Sequence, residues 1–364
     1  MKITAIESIL IKVPYDYGAP PPAIFGRPWT TCDTLLVKIE TDAGITGWGE
    51  AFGYSVVDST KAAIDTLIAP ALIGRDPTQI AALMHETQKR LHIFGRGGPC
   101  IYGMSGIDIA LWDIAGKSAG LPLYRLLGGS TRTHLTAYAS LMRYSEPPLV
   151  ARQTEAALKR GFRYIKLHEI DVPQTMAARD AAGDGVPIML DTNCPWPPDY
   201  AIDMARELSE LDLYWLEEPV WPPENYEGLA DVRNSGGIRI AAGENAGTVL
   251  DFKHMFEAEA VDIAQPSVTK IGGISEMRKI IALADAYNVV VHPHSPYFGP
   301  GLLATLHVAA ASPQDMLVEH LYFDLETTLY GSSVTPFNGS IAVPQGAGMG
   351  FDPDPKVIER YRAR

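Results

Sequence analysis

Two hydrophobic periods divide the chain. Residues 3–13 alternate apolar and polar side chains, as a half-buried strand does. Thr34–Thr41 repeats the alternation, Asp42-Ala43-Gly44 supplies a turn, and Ile45–Glu50 gives a third strand. Thr60–Ala71, Ile80–Leu91 and Ser105–Ala119 switch to apolar residues three and four apart, which predicts helices. The last of these is stopped by Gly120, with Pro122 just beyond. Between the first two strands, Tyr15–Pro28 carries three consecutive prolines and is expected to be a long irregular loop, neither helix nor central strand. This part reads as a small three-stranded sheet followed by a helical bundle.

From about residue 134 the pattern repeats. Strand-like runs fall at Leu135–Leu141, Tyr164–His168, Ile188–Asp191, Tyr214–Glu217, Ile238–Gly243, Val261–Gln265, Val289–His292 and Met316–Glu319. Helical segments such as Pro148–Arg160, Tyr200–Glu210 and Ser275–Ala286 lie between them. Eight strands alternating with helices predict a parallel α/β barrel. The alternative, an open doubly wound sheet, wants a Gly-x-Gly-x-x-Gly turn after its first strand, and the sequence has none. The expected division is residues 1–128, a barrel over 129–345, and a segment 346–364, loop-like then helical, that returns to the N-terminal unit.

The polar residues at the strand ends carry the chemistry. Lys166 and His168 close the second strand, Asp191 the third, Glu217 the fourth and Glu244 the fifth. Ser267 follows the sixth, His294 the seventh, and Glu319 closes the eighth. Successive gaps from Lys166, passing over His168, are 25, 26, 27, 23, 27 and 25 residues, so all rise at the barrel end that holds active sites. Three converging acids repel one another, and a divalent cation removes that penalty. Oxygen ligands without cysteine or histidine favour magnesium, with manganese as the alternative, over zinc. The bland reading, three barrel-end acids each paired with a base, is weakened by their recurrence in consecutive repeats.

Lys166 and His168, two apart in a strand, face the same way. Lys166 is then either a base beside the metal or an ammonium paired with the metal's carboxylates. His292 is expected one layer deeper than His294, and Glu218 to face away from Glu217. A metal with bases on two flanks suits removal of the proton next to a substrate carboxylate, giving an enediolate.

Composition narrows the partners. A chain of 364 residues suits a barrel plus an extra domain. The net charge of −13 argues against nucleic acid and anionic membranes, but not against a small carboxylate, because a bound cation reverses the local field. Three scattered cysteines indicate a reducing compartment without disulfides. No signal peptide or membrane-spanning run is read, and a cytoplasmic location is expected.

These motifs together resemble the enolase superfamily, within it the mandelate racemase and muconate lactonizing enzyme group. The resemblance is carried by Trp48-Gly49-Glu50, Gly106 to Lys117, Leu127-Gly128-Gly129, Asp191-Thr192-Asn193, Trp215 to Pro219, Gly243-Glu244-Asn245 and Lys270 to Gly273. It implies a (β/α)7β TIM-type barrel under an N-terminal α+β capping domain. It also implies a magnesium ion on Asp191, Glu217 and Glu244, with Lys- or His-based proton abstraction, chemistry already established for that superfamily. Asn193, Glu319 and Tyr54 are implied substrate-side residues, and a homo-oligomer, dimer or octamer, is implied. Two departures stand out. His168 takes the place of the second lysine of Lys-x-Lys, as in sugar-acid dehydratases where a histidine protonates the leaving hydroxyl. Ser267 stands where members using the seventh-strand histidine place an aspartate. The reading is dehydration of an acid sugar to a 2-keto-3-deoxy acid. The alternatives are a racemase, epimerase or cycloisomerase on another carboxylate, and a metal-binding homologue with little catalysis.

Overall fold

The computed structural model describes residues 1–24, 27–130 and 132–363. Phe25 and Gly26, inside the Pro-rich loop, lie outside the described residues.

The cap sheet is antiparallel and has four strands where the pattern predicts three. Their order is Asp324–Leu325, Ile3–Asp16, Thr31–Thr41, Thr46–Ala51. The first strand runs past residue 13 because Tyr15 and Asp16 pair with Leu325 and Asp324, more than 300 residues away. In the Pro-rich loop, Ala23–Ile24 and Arg27–Pro28 pair with each other. The predicted helix Thr60–Ala71 is three joined pieces, Val57–Ala63, a wider turn at Ile64–Ile68, and Ala69–Leu72. Pro70 has no N–H to return to the preceding turn, and the chain widens before it. Helix Ile80–Arg90 follows, then Gly98–Ala119, which begins seven residues before the predicted start with Pro99 in its first turn. Thr46–Ala51 lies flat on this long helix. A Cβ on Gly49 would overlap the Gly106 carbonyl, so only glycine permits the approach.

The barrel strands are His134–Ser140, Ile165–Leu167, Ile188–Asp191, Leu213–Glu217, Ile240–Ala242, Ile263–Ala264, Val290–Val291 and Val318–Leu321. All neighbouring pairs are parallel, and the ladder runs from the seventh strand back to the first and on to the eighth. Seven helices connect them: Pro147–Lys159, Val172–Ala182, Pro198–Ser209, Tyr226–Ser235, Val249–Glu257, Gly273–Ala286 and Pro300–Ala311. The eighth strand leads directly to the cap strand Asp324–Leu325 and not to a connecting barrel helix.

Among the described residues no backbone ladder joins strands seven and eight, and side chains bridge the gap. His292 Nδ1 accepts from Leu317 N at 3.2 Å, and Ser295 Oγ accepts from Glu319 N at 3.1 Å. His292 is thus a buried seam residue, as its deeper position suggests, and burial pushes its pKa down to about 4. Tyr138, Met189, Trp215, Ala241 and Ile263 from the barrel strands, with Leu317 just before the eighth, form a buried apolar cluster.

Three buried acids pin the cap to the rest. Asp108 accepts from Ser275 N at 2.9 Å and Glu50 from Gly301 N at 2.8 Å, each in the first turn of a barrel helix. Asp113 accepts from Trp48 N and Met349 N while pairing with Lys117. The C-terminal helix Pro355–Tyr361 leads back to the cap, where Ala363 N bonds Leu10 O at 2.8 Å. No helix among the described residues is long and apolar enough to cross a membrane.

Candidate active site

Every polar strand-end residue read from the sequence stands at the C-terminal mouth of the barrel. Asp191 and Glu217 end their strands side by side in register. Glu244 lies two residues past the fifth strand, beyond Gly243 at φ +141°. A Cβ on Gly243 would press on Gln265 N and the Phe252 ring, both at 2.9 Å. Carboxylate oxygens of Asp191, Glu217 and Glu244 lie within 4.8 Å of one another.

Lys166 is fully buried among them. Its Nζ lies 3.2 Å from Asp191 Oδ2, 3.1 Å from Glu217 Oε1 and 2.9 Å from Glu319 Oε1. Burial alone would lower its pKa, but Glu217, Glu319 and Asp191 hold it well above the usual lysine value. An ammonium has three protons, and here three carboxylates take them. Of the two readings open for Lys166, this arrangement is the ion-pair one.

His168 presents one nitrogen on the same flank. Its Nδ1 lies 2.6 Å from the Leu141 carbonyl, which can only accept, so Nδ1 carries a proton; Nε2 lies 3.3 Å from Asp191 Oδ2. Burial works against the imidazolium, but Asp191 outweighs it and raises the pKa. His294 approaches from the other flank, its Nε2 2.7 Å from Glu244 Oε2 and its Nδ1 3.1 Å from Ser267 Oγ.

The acids divide by their company. Burial would raise Asp191, but Lys166 and His168 bring it down to about 2. Glu244 is held well below the carboxylate range: burial is outweighed by His294 and by Lys270, whose Nζ is 3.8 Å away. Glu217 is pushed up to about 8 by burial and by Asp191, although Trp215 Nε1 donates to it at 3.0 Å. Three acids so close cannot all ionise on the protein's own cations, and an all-oxygen set of this kind fits a hard divalent ion. Asn193, at φ +57°, supports that set by donating both N and Nδ2 to Asp191 Oδ1, at 3.0 and 2.9 Å. Glu218 turns aside to Asn245 and Cys194, and burial with Glu244 nearby raises it well above the usual value.

A cavity of about 650 Å³ opens above these groups. His168, Asn193, Glu244, His294 and Glu319 line its barrel side, and Trp29, Phe52, Tyr54 and Tyr102 its cap side. Glu319 is held by three partners and keeps one acceptor site on Oε2: Lys166 and Ser140 Oγ meet Oε1, and Ser295 N meets Oε2. Lys166 outweighs burial and lowers its pKa, so Glu319 is an acceptor and suits a hydroxyl. Tyr54 sits at φ +39°, a strained conformation for a bulky residue, of the kind that collects at ligand-binding sites.

Two cations on the cavity wall escape the strand-end reading. Arg143 lies just beyond the first strand and donates Nε to His168 O at 2.6 Å. Extending the strand-end rule to the first strand finds it. Lys270 lies three residues past Ser267, 4.8 Å over the Phe52 ring. Its only sequence signal is the Gly272-Gly273 turn that follows it.

Fold and site define a barrel enzyme with a three-carboxylate metal site. Residues 21–128 match the mandelate racemase / muconate lactonizing enzyme N-terminal domain, and residues 149–357 match the enolase C-terminal domain-like family. The chain belongs to the enolase superfamily, in its mandelate racemase / muconate lactonizing enzyme group. It is 35% identical over 353 residues to the arabinonate dehydratase of Saccharolobus solfataricus, covering 94% of each chain. It is 32% identical over 329 residues to the 3,6-anhydro-alpha-L-galactonate cycloisomerase of Streptomyces coelicolor, covering 87% of this chain and 88% of that one. Among solved structures, a racemase from Streptomyces coelicolor with bound magnesium superposes with a TM-score of 0.88 at 28% identity, over 99% of this chain and all of the other.

Proposed function

We propose that this enzyme dehydrates an acid sugar, removing the proton α to its carboxylate and expelling the β-hydroxyl as water. The observation that carries the reading is the pair of imidazoles. His168 and His294 enter one cavity from opposite flanks of the carboxylate triad, each with its second nitrogen tied down. His294 Nε2 takes the α-proton as the Cα–H bond breaks. His168 Nε2 gives its proton to the β-oxygen as the Cβ–O bond breaks, and the enol product tautomerises to a 2-keto-3-deoxy acid. Asp191, Glu217 and Glu244 would hold the metal, magnesium or else manganese, which would supply charge stabilisation to an enediolate. Lys166 keeps positive charge beneath the site, Arg143 and Lys270 offer it to the substrate carboxylate, and Glu319 accepts a substrate hydroxyl. The dehydratase relative supports the reading.

The aromatic roof favours a second reading. Trp29, Tyr54, Phe52 and Tyr102 follow one another in edge-to-face contact at 4.8–5.5 Å between ring centroids. Such a surface suits a ring-shaped substrate better than an extended polyol, which agrees with a cycloisomerase or a racemase. A homo-oligomer, dimer or octamer, and a cytoplasmic location complete the proposal; light scattering tests the former. The chemical test incubates the enzyme and magnesium with linear pentonates and hexonates, and with their lactones and anhydro derivatives. Semicarbazide then reports 2-keto acids. Product from the linear acids supports dehydration. Turnover of the cyclic acids alone, without loss of water, overturns it in favour of the second reading.

A further inference from the structure

Ser267 stands where the resemblance calls for an aspartate, and the structure shows what accompanies the change. Ser267 is wholly buried, and its Oγ contacts His294 Nδ1 on one side and the Tyr297 hydroxyl on the other. Tyr297 is itself buried, and near it the buried Thr269 hydroxyl makes no hydrogen bond among the described residues and is open to one. We infer that Tyr297 and Ser267 form an uncharged relay that orients the His294 ring and accommodates both its tautomers. Tyr297 is thus a positioning residue for the proton transfer proposed above.

A carboxylate accepts only, so it fixes the proton of a neutral ring on Nδ1. Two hydroxyls in series can run in either direction. With Tyr297 donating to Ser267 and Ser267 donating to Nδ1, the ring proton lies on Nε2, which faces Glu244 at 2.7 Å. With the chain reversed, Nδ1–H donates to Ser267, Ser267 to Tyr297, and Tyr297 to Thr269. Nε2 then offers its lone pair to a substrate proton once it leaves the Glu244 oxygen that faces it at 2.7 Å. The mouth already gathers Asp191, Glu217, Glu218, Glu244 and Glu319, and a hydroxyl relay orients the base without adding a sixth acid.

Tyr297→Phe isolates the hydroxyl, because its ring keeps the edge-to-face contact with His294 at 6.2 Å between centroids. The first readout needs no substrate. Imidazole ¹⁵N NMR of the full chain, with His294 assigned by loss of its signals in His294→Gln, is compared with and without Tyr297→Phe. A changed balance of the two nitrogen shifts is expected; identical shifts overturn the relay. The second readout rests on the dehydratase reading. Tyr297→Phe lowers kcat roughly 10–100-fold, part of the effect of a positioned acid–base group, with KM little changed. Adding it to Ser267→Ala costs nothing more, because Tyr297 acts through Ser267, and fully additive losses count against the relay. Should wild type turn over no sugar acid, the dehydratase reading fails and the NMR comparison alone decides the relay.

Discussion

Replacing Lys166 with methionine removes one charge from the centre of the barrel mouth and keeps the length of the side chain. At an effective dielectric constant near 20, unit charges about 3 Å apart attract by roughly 5 kcal/mol, and Lys166 has two ionised partners, Asp191 at 3.2 Å and Glu319 at 2.9 Å, with Glu217 at 3.1 Å. Desolvation of the ammonium offsets most of that sum, and removing one member of a buried ionic cluster typically costs about 3–5 kcal/mol. Over 364 residues, the unfolding entropy is roughly 0.8 kcal/mol/K, so the metal-free variant is expected to melt ~4–7 °C below wild type. Magnesium reverses the order of effects. Magnesium supplies the positive charge that Lys166→Met lacks, so saturating magnesium raises the melting temperature of Lys166→Met more than that of wild type. Differential scanning fluorimetry with chelator and with magnesium reads both quantities. A variant as stable as wild type in chelator, with an equal or smaller magnesium shift, would refute the argument that Lys166 is the triad's internal counterion.

Two further outcomes follow from groups around the site. Burial pushes Glu50 up to about 7 despite backbone N–H bonds from Gly301 and Gly299, so the folded state binds its proton more tightly than the unfolded state does. Its contribution is fully present below about 4.5, is lost as pH rises through 7, and amounts to ~3 kcal/mol. Glu50→Gln keeps an oxygen for Gly301 N and should flatten that stretch of the stability–pH curve; an unchanged slope in urea titrations contradicts the assignment. Asn193→Gly keeps the positive φ and deletes only the side-chain donor to Asp191. Calorimetric titration should show magnesium binding weakened ~10–100-fold, and unaltered binding would mean that Asn193 does not support the ligand.

The barrel and its triad were legible in the sequence because each strand–helix unit returns the chain to the same rim. One polar residue every 23–27 positions marks that return, from Lys166 through Glu319. What was not legible depends on contacts between distant parts of the chain. The fourth cap strand exists only because Asp324 and Leu325 meet Tyr15 and Asp16. The closure between strands seven and eight is made by side chains of His292 and Ser295, which no strand pattern signals. The early start of the helix at Gly98 was marked by Pro99, but Gly97 and Gly98 read as loop. The Tyr297 hydroxyl is linked to His294 Nδ1 by way of Ser267, thirty residues earlier in the chain.

The central claim is that this site removes the proton α to a carboxylate. Proton NMR in D₂O, with magnesium and a library of sugar acids, follows the α-hydrogen signal directly. At least one acid is expected to lose that signal only when magnesium is present, and His294→Gln to abolish the loss. Retention of every α-hydrogen while calorimetry shows magnesium bound would contradict it.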